Sequence, residues 1–254
     1  MNNYLKREIL FHEKKFFSGE DFDDLYSNHP IWRIHWERKY HIIREHIDQS
    51  NDSCTILNVG AGTGPIEYFL NRYGEKSAID IISTDISKNA MFNIKFYGLN
   101  EKMVLCSAMK LPFKDSSFDG VIFSGVLHHL PKEDFINIIH EVQRVLKPKG
   151  ILIAVEPLRN NVRKLIRLIF PEKWKKIHSK DERELEFSEI HNLELSICSL
   201  DTICIKPIGF FIDIFLNLKI NKKWEIIISY LYIIDKIIEK TGTGISYLLY
   251  IRFK

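Results

Sequence analysis

Cysteine is scarce in this chain of 254 residues: Cys54, Cys106, Cys198 and Cys204 are the only four, scattered and without a CxxC pair. That spacing excludes a disulfide framework and a cysteine-based zinc or redox motif, so no metal is expected and a reduced, cytoplasmic compartment is. Proline (8) and glycine (12) are too few for a collagenous or low-complexity chain, and 45% hydrophobic residues exclude a disordered one. No uninterrupted apolar run approaches the roughly 18 residues of a membrane span. The opening MNNYLKREILFHEKKFF is broken by charges every few positions, so no signal-peptide core is expected either. Charge of one sign is also lacking: 36 Lys and Arg against 33 Asp and Glu leave +3, too little to argue for nucleic acid, and no nucleic-acid partner is expected.

What is present falls into blocks, with no repeat at a period of 20 to 50 residues. Residues 1–50 read as a helical N-terminal cap, rich in aromatics and histidine (Trp32, His35, Trp36, Tyr40, His41, His46), ending in a polar SNDS linker. From residue 51 short apolar runs alternate with amphipathic stretches: CTILNV, TGPIEYFLNRYG, AIDIISTD, SKNAMFNIKFYG, KMVLCS, FDGVIFSG, KEDFINIIHEVQRVLKPKG and ILIAVEP. Apolar strands separated by helices of ten or so residues predict right-handed βαβ crossovers, an α/β fold with a doubly wound parallel sheet. The Lys147-Pro148-Lys149-Gly150 run predicts a helix end, with a strand starting immediately after it. Beyond Pro157 the alternation stops. Leu158 to Lys180 is basic and amphipathic, with eight Lys or Arg against one Glu; Asp181 to Glu194 reads as an acidic helix and Asp201 to Pro207 as a strand. Residues 208–244 read as an apolar helical insertion before a last strand, SYLLYIRFK.

The sharpest local feature is ILNVGAGTGP, residues 56 to 65. Gly60, Gly62 and Gly64 permit a tight turn and close approach of a ligand to the backbone, and the N–H groups opening the next helix favour an anion. Dinucleotide loops use GxGxxG, whose third glycine would be residue 65; Pro65 stands there, which weakens a nicotinamide-dependent oxidoreductase without excluding it. Asp85 ends the second strand about 25 residues past Gly60, where a carboxylate can accept both hydroxyls of a ribose. Ile86 beside it can lie against a base.

ILNVGAGTG, TDIS, AMKLPFKDSSFDGVIFSGVLHHL and EVQRVLKPKGILIAVEP, in that order, resemble the motif series of class I S-adenosylmethionine-dependent methyltransferases, especially the ubiquinone/menaquinone-type small-molecule branch. The resemblance covers residues 54 to 157 and implies a Rossmann-like, seven-stranded sheet whose last strand is antiparallel, within a methyltransferase domain of residues 51–254. It implies that Gly60, Ala61 and Gly62 approach the methionyl part of S-adenosylmethionine, Asp85 the ribose, Ile86 the adenine face, and Ala108 with Met109 the adenine edge. Two positions depart from the family. Asn58 replaces the usual Asp or Glu opening the glycine motif, where its amide can still orient the loop or reach the cofactor ammonium, and Ser107 stands where an Asp contacts the adenine amino group. These departures keep a non-catalytic, methyltransferase-like binding protein as an alternative.

Ligands of open α/β sheets bind beyond the carboxyl ends of the strands, which places Ser124, His128, His129 and Glu156 near the cofactor. Methyl transfer from a sulfonium needs alignment and, for some acceptors, a base; His128 or His129 is the candidate base, and Glu156 the candidate carboxylate. IHSKDERELE, residues 177 to 186, resembles a segment that covers the active site in some small-molecule methyltransferases, so residues 157–184 read as lid-like and His178, Asp181 and Glu182 as substrate contacts. Tyr26, Trp32, Trp36 and Arg38 are the N-terminal candidates. The basic segment beside the apolar insertion points to a lipid-like acceptor, or to peripheral contact with an anionic membrane surface. Neither the acceptor atom nor the oligomeric state is legible.

Overall fold

A computed structural model describes residues 3–16, 30–47, 54–74, 79–100, 102–159, 164, 168, 182–197, 200–208, 225–240 and 246–254. Two helices, α1 (Asn3–Phe16) and α2 (Pro30–Ile47), precede β1 (Cys54–Val59), α3 (Pro65–Arg72), β2 (Ile79–Asp85), α4 (Lys88–Phe96) and β3 (Met103–Leu105). Then come β4 (Phe118–Ser124), a 3-10 turn Leu127–His129, α5 (Phe135–Val145), β5 (Leu146–Pro157), α6 (Phe187–Ser196), β6 (Leu200–Ile208), α7 (Glu225–Glu239) and β7 (Ser246–Phe253). The strands form one seven-stranded sheet in the order β3-β2-β1-β4-β5-β7-β6. β1 to β5 pair in parallel, while β7 runs antiparallel to both β5 and β6, as the family resemblance implied.

Both faces of the sheet are covered because its strands are apolar on both sides. Leu57 and Val59 of β1, Val121 and Phe123 of β4, and Leu152 and Ala154 of β5 pack on one face with α5 and α6. Ile56, Ile122, Ile153 and Val155, one residue out of phase, pack on the other with α2 and α3. Helix α5 shows the matching helical period: Phe135, Ile138, Ile139, Val142 and Val145 are buried, each worth about 1.5–3 kcal/mol of apolar burial. Cys54, Cys106 and Cys204 are free thiols.

Two boundaries differ from the sequence reading. The run Lys147 to Gly150 belongs to β5 instead of preceding it: Phe118 pairs with Leu146 and Gly120 with Ile151, so the residues between bulge out of the ladder, and Lys149 takes φ +64°. Lys147 is held there by the carboxylate of Asp119 at 2.8 Å. The second difference is that residues 182–186 are not helical. Helix α6 starts only after Glu186, where Glu186 and Glu189 form a reciprocal capping box, and the preceding segment lies beside the end of β5 through the Leu158 to Leu185 bridge.

Candidate functional site

The glycine loop follows β1 at the carboxyl edge of the sheet. Gly60, Gly62 and Gly64 all take positive φ (70°, 58° and 78°). Gly60 also faces a close neighbour: a Cβ there would lie 2.5 Å from a methyl of Val126. Helix α3 then starts at Pro65 with no side-chain cap, leaving its first N–H groups without that partner.

Asp85 organises this loop. Its two carboxylate oxygens accept the backbone N–H groups of Gly62 and Ser87, each at 2.8 Å, while Gly60 and Ala61 donate to the Thr84 carbonyl. The side chain is almost enclosed (6% exposed), and burial pushes its carboxyl up, opposed by those same backbone donors. Spare lone pairs on both oxygens can still accept hydroxyls. Ile86 is half-buried next to it, and Cys106 donates its N–H to the Asp85 carbonyl, bringing Ser107 and the exposed Met109 to the same edge. The Ser107 hydroxyl accepts the Met109 N–H of its own turn. Ala108 differs from expectation: its side chain is packed in the core under β4 and α5, so only its backbone is left to meet an adenine.

Asn58 also differs. Its amide points into the protein and donates to Glu67 at 2.8 Å, and Glu67 accepts Ser83 Oγ as well. Asn100 extends the chain of bonds to Ser83. Glu67 is thus a carboxyl directly behind Asn58, fully buried (0% exposed), and burial pushes it up. Sequence reading missed this partner, although a Glu in the first turn of an otherwise apolar helix was the available signal.

At the end of β4 and β5 the expected catalytic residues form a closed set. Glu156 Oε1 accepts the N–H groups of Val126 (2.8 Å) and Leu127 (3.0 Å), and Oε2 meets His128 Nδ1 at 2.6 Å. His128 Nε2 faces Glu182 at 3.3 Å. Burial disfavours the imidazolium, but the two carboxylates outweigh it and raise His128 to about 9; burial likewise works against the Glu156 charge, yet the imidazolium and the backbone donors lower its carboxyl. With both ring nitrogens facing carboxylates, His128 braces β5 to the Glu182 segment, and Glu156 positions the turn after β4. Arg183 completes the brace, donating its backbone N–H to the His128 carbonyl, Nε to the Leu130 carbonyl, and Nη1 to both carboxylate oxygens of Glu189. His129 faces Glu8 of α1 at 3.2 Å, and burial, then the neighbouring His128, lower it to about 4. Nothing local in the N-terminal run signalled Glu8 or His12 at this edge.

Of the N-terminal candidates, Trp36 is half-buried against the cluster of Ala61, Ile94 and Leu99, and so touches the glycine loop. Trp32 stacks on Trp36. Arg38 is placed elsewhere: buried, it pairs with Asp235 at 3.7 Å and with Glu239, tying α2 to α7. Tyr26, His178 and Asp181 lie outside the described residues.

These features define the class first: a doubly wound α/β domain that takes a nucleoside-bearing cofactor across the carboxyl ends of β1, β2 and β4. S-adenosylmethionine fits on three observations: a left-handed glycine loop at the head of an uncapped helix, the Asp85 carboxylate fixed beside it, and the buried hydroxyl of Ser124, which has no hydrogen-bond partner among the described residues. Residues 57–154 match the methyltransferase domain family. Over those residues the chain is similar to class I S-adenosylmethionine-dependent methyltransferases. It is similar to a ubiquinone/menaquinone biosynthesis C-methyltransferase of Desulfotalea psychrophila, 29% identical over 120 residues (45% of this chain, 47% of that protein). It is also similar to a tRNA U34 carboxymethyltransferase of Nautilia profundicola, 32% identical over 121 residues (45% and 37%). The chain thus spans about half or less of the length of these relatives. A solved S-adenosylmethionine-dependent methyltransferase from Methanosarcina mazei shares the fold at 21% identity and TM-score 0.54, over 84% of this chain and 96% of that one.

Proposed function

We propose that this protein transfers the methyl group of S-adenosylmethionine to a small-molecule or lipid-like acceptor. The observation that carries the reading is the Asp85 carboxylate locked to the Gly62 N–H at the mouth of the glycine loop. When bound, the cofactor supplies an electrophilic methyl on a sulfonium, open to in-line displacement. Asp85 holds the ribose hydroxyls, Gly60 to Gly62 bring backbone close to the methionyl part, Ser124 offers a hydroxyl, and Ile86 and Met109 flank the base. Glu156 and His128 fix the turn that borders the acceptor side. Because His128 spends both nitrogens on carboxylates, alignment and exclusion of water are the contributions we assign to this edge, and the acceptor brings its own nucleophilicity.

In this reading residues 1–50 act as a cap and 157–184 as a lid-like cover whose ends are anchored side by side, Leu185 donating to the Pro157 carbonyl and Arg159 to the Leu185 carbonyl. The lipid-like side of the proposal draws support from α7, where Tyr230, Ile233, Ile234 and Ile237 are exposed on one face, and from the Desulfotalea relative's name. A cytoplasmic protein resting on a membrane surface is the matching location; among the described residues no helix is long and apolar enough to cross a membrane. The test is incubation with methyl-tritiated S-adenosylmethionine and a cell extract, followed by separation. Label in the solvent-extractable or small-molecule fraction supports the proposal, and label in RNA alone overturns the acceptor class.

A further inference from the structure

Helix α1 crosses the carboxyl ends of the strands, where Glu13 accepts the Lys88 N–H and the Asn89 amide at the start of α4. On the same helix Glu8 and His12, one turn apart, project together toward the turn after β4. There a single carboxylate oxygen is flanked by two imidazoles: Glu8 Oε2 lies 3.4 Å from His12 Nε2 and 3.2 Å from His129 Nδ1. All three side chains are largely enclosed (3%, 14% and 14% exposed).

We propose that Glu8, His12 and His129 form a binding site for a divalent transition-metal ion, zinc by its chemistry, that clamps α1 across the cofactor cleft. A tetrahedral zinc ion with bonds of about 2.0–2.1 Å places its ligand atoms about 3.3 Å apart, and both measured separations fall on that edge length. Two imidazole nitrogens with one carboxylate oxygen are a zinc-type donor set; magnesium and calcium prefer oxygen alone. The ligands come from two elements, so the ion would cross-link the N-terminal helix to the sheet edge. His129 is shared with a second grouping, His128, His129 and Glu182, whose ligand atoms also lie within 4.8 Å of one another. That keeps the Glu182 carboxylate, paired with His128, close to His129 as nearby negative charge. The site differs in residues and place from the cofactor-binding set, sharing only the edge of the cleft.

The experiment uses the full chain, stripped with a chelator and dialysed at neutral pH, then titrated with zinc by calorimetry and with cobalt by visible absorption, whose intensity reports tetrahedral coordination. One equivalent of zinc is expected, with an intense cobalt spectrum. His12→Ala and Glu8→Gln should each weaken zinc by more than about tenfold, since loss of a ligand costs at least what loss of its outer-shell support does. Circular dichroism confirms that each variant is folded, and His12→Asn serves as a second substitution at that position. No binding at micromolar zinc, or unchanged affinity in every folded variant, overturns the site. Hydrogen exchange across Asn3–Phe16 should slow when zinc is added; zinc binding with unaltered exchange there overturns the clamp.

Discussion

Replacing Glu67 by Gln isolates the energetic consequence of burying a carboxyl beneath the glycine loop. The carboxyl is fully enclosed, accepts Asn58 Nδ2 and Ser83 Oγ through one oxygen, and has no hydrogen-bond partner for the other among the described residues. Burial raises its folded-state pKa above the ordinary carboxylate range, so on raising the pH the unfolded chain loses this proton first. The sign follows: for an acid raised in the folded state, stability falls as pH rises above about 4.3, the unfolded value, and levels off only once the folded-state pKa is passed. Within that window the slope is about 1.4 kcal/mol per pH unit whatever the size of the shift. Glutamine has the same shape, keeps the accepting oxygen, and carries no ionisable proton. Urea denaturation of both proteins at half-unit steps between pH 4 and 7 should therefore show Glu67→Gln gaining on the wild type as the pH rises above about 4.3, by at most about 1.4 kcal/mol per unit. Parallel stability curves across that range would refute the reasoning, because they would mean that Glu67 ionises in the folded protein as readily as in the unfolded one.

Glu156→Ala leaves the Val126 and Leu127 N–H groups and a buried imidazolium without their acceptor, and should cost about 3–5 kcal/mol in denaturant unfolding; a loss below about 1 kcal/mol would contradict the bracing role. Gly60→Ala forces a side chain onto a left-handed residue whose Cβ would stand 2.5 Å from Val126, so about 1–2 kcal/mol is lost to backbone strain before any clash, measured the same way. Arg144→Lys gives up the fork that holds the carbonyls of Leu111 and Phe113 together with Glu141, and stability should fall by about 1 kcal/mol; an unchanged unfolding midpoint counts against that clamp.

The sheet was legible because its strands carry the pattern of a two-faced core: Leu57 and Val59 serve one layer while Ile56 serves the other, a run that only a buried strand tolerates. The glycine loop and Asp85 were legible for a related reason, since strand ends at a carboxyl edge repeat a known order. Local stop signals misled at Lys147 to Gly150, where pairing with β4 carried the strand through a Pro-Gly run by way of a bulge. What sequence could not give were partners far apart along the chain. Asn58 was read as orienting the loop or reaching a cofactor ammonium, because nothing local reveals that Glu67 lies within 2.8 Å. His128 or His129 was read as the candidate base, with nothing local to show that Glu156 and Glu182 lie on the two nitrogens of His128. Arg38 looked like a substrate contact and is instead a buried ion-pair partner of α7, a choice set by tertiary packing alone.

Isothermal titration of the protein with S-adenosylmethionine, beside its Gly62→Val and Asp85→Ala variants, bears most directly on the claim that the carboxyl edge of β1 and β2 is a cofactor site. One equivalent should bind to the wild type, and both variants should lose binding while remaining folded: the first by placing a branched side chain at a φ of 58° in the path of the ligand, the second by removing the ribose acceptor that also holds the Gly62 N–H. Wild-type affinity in both folded variants, or no binding to the wild type, would contradict the assignment.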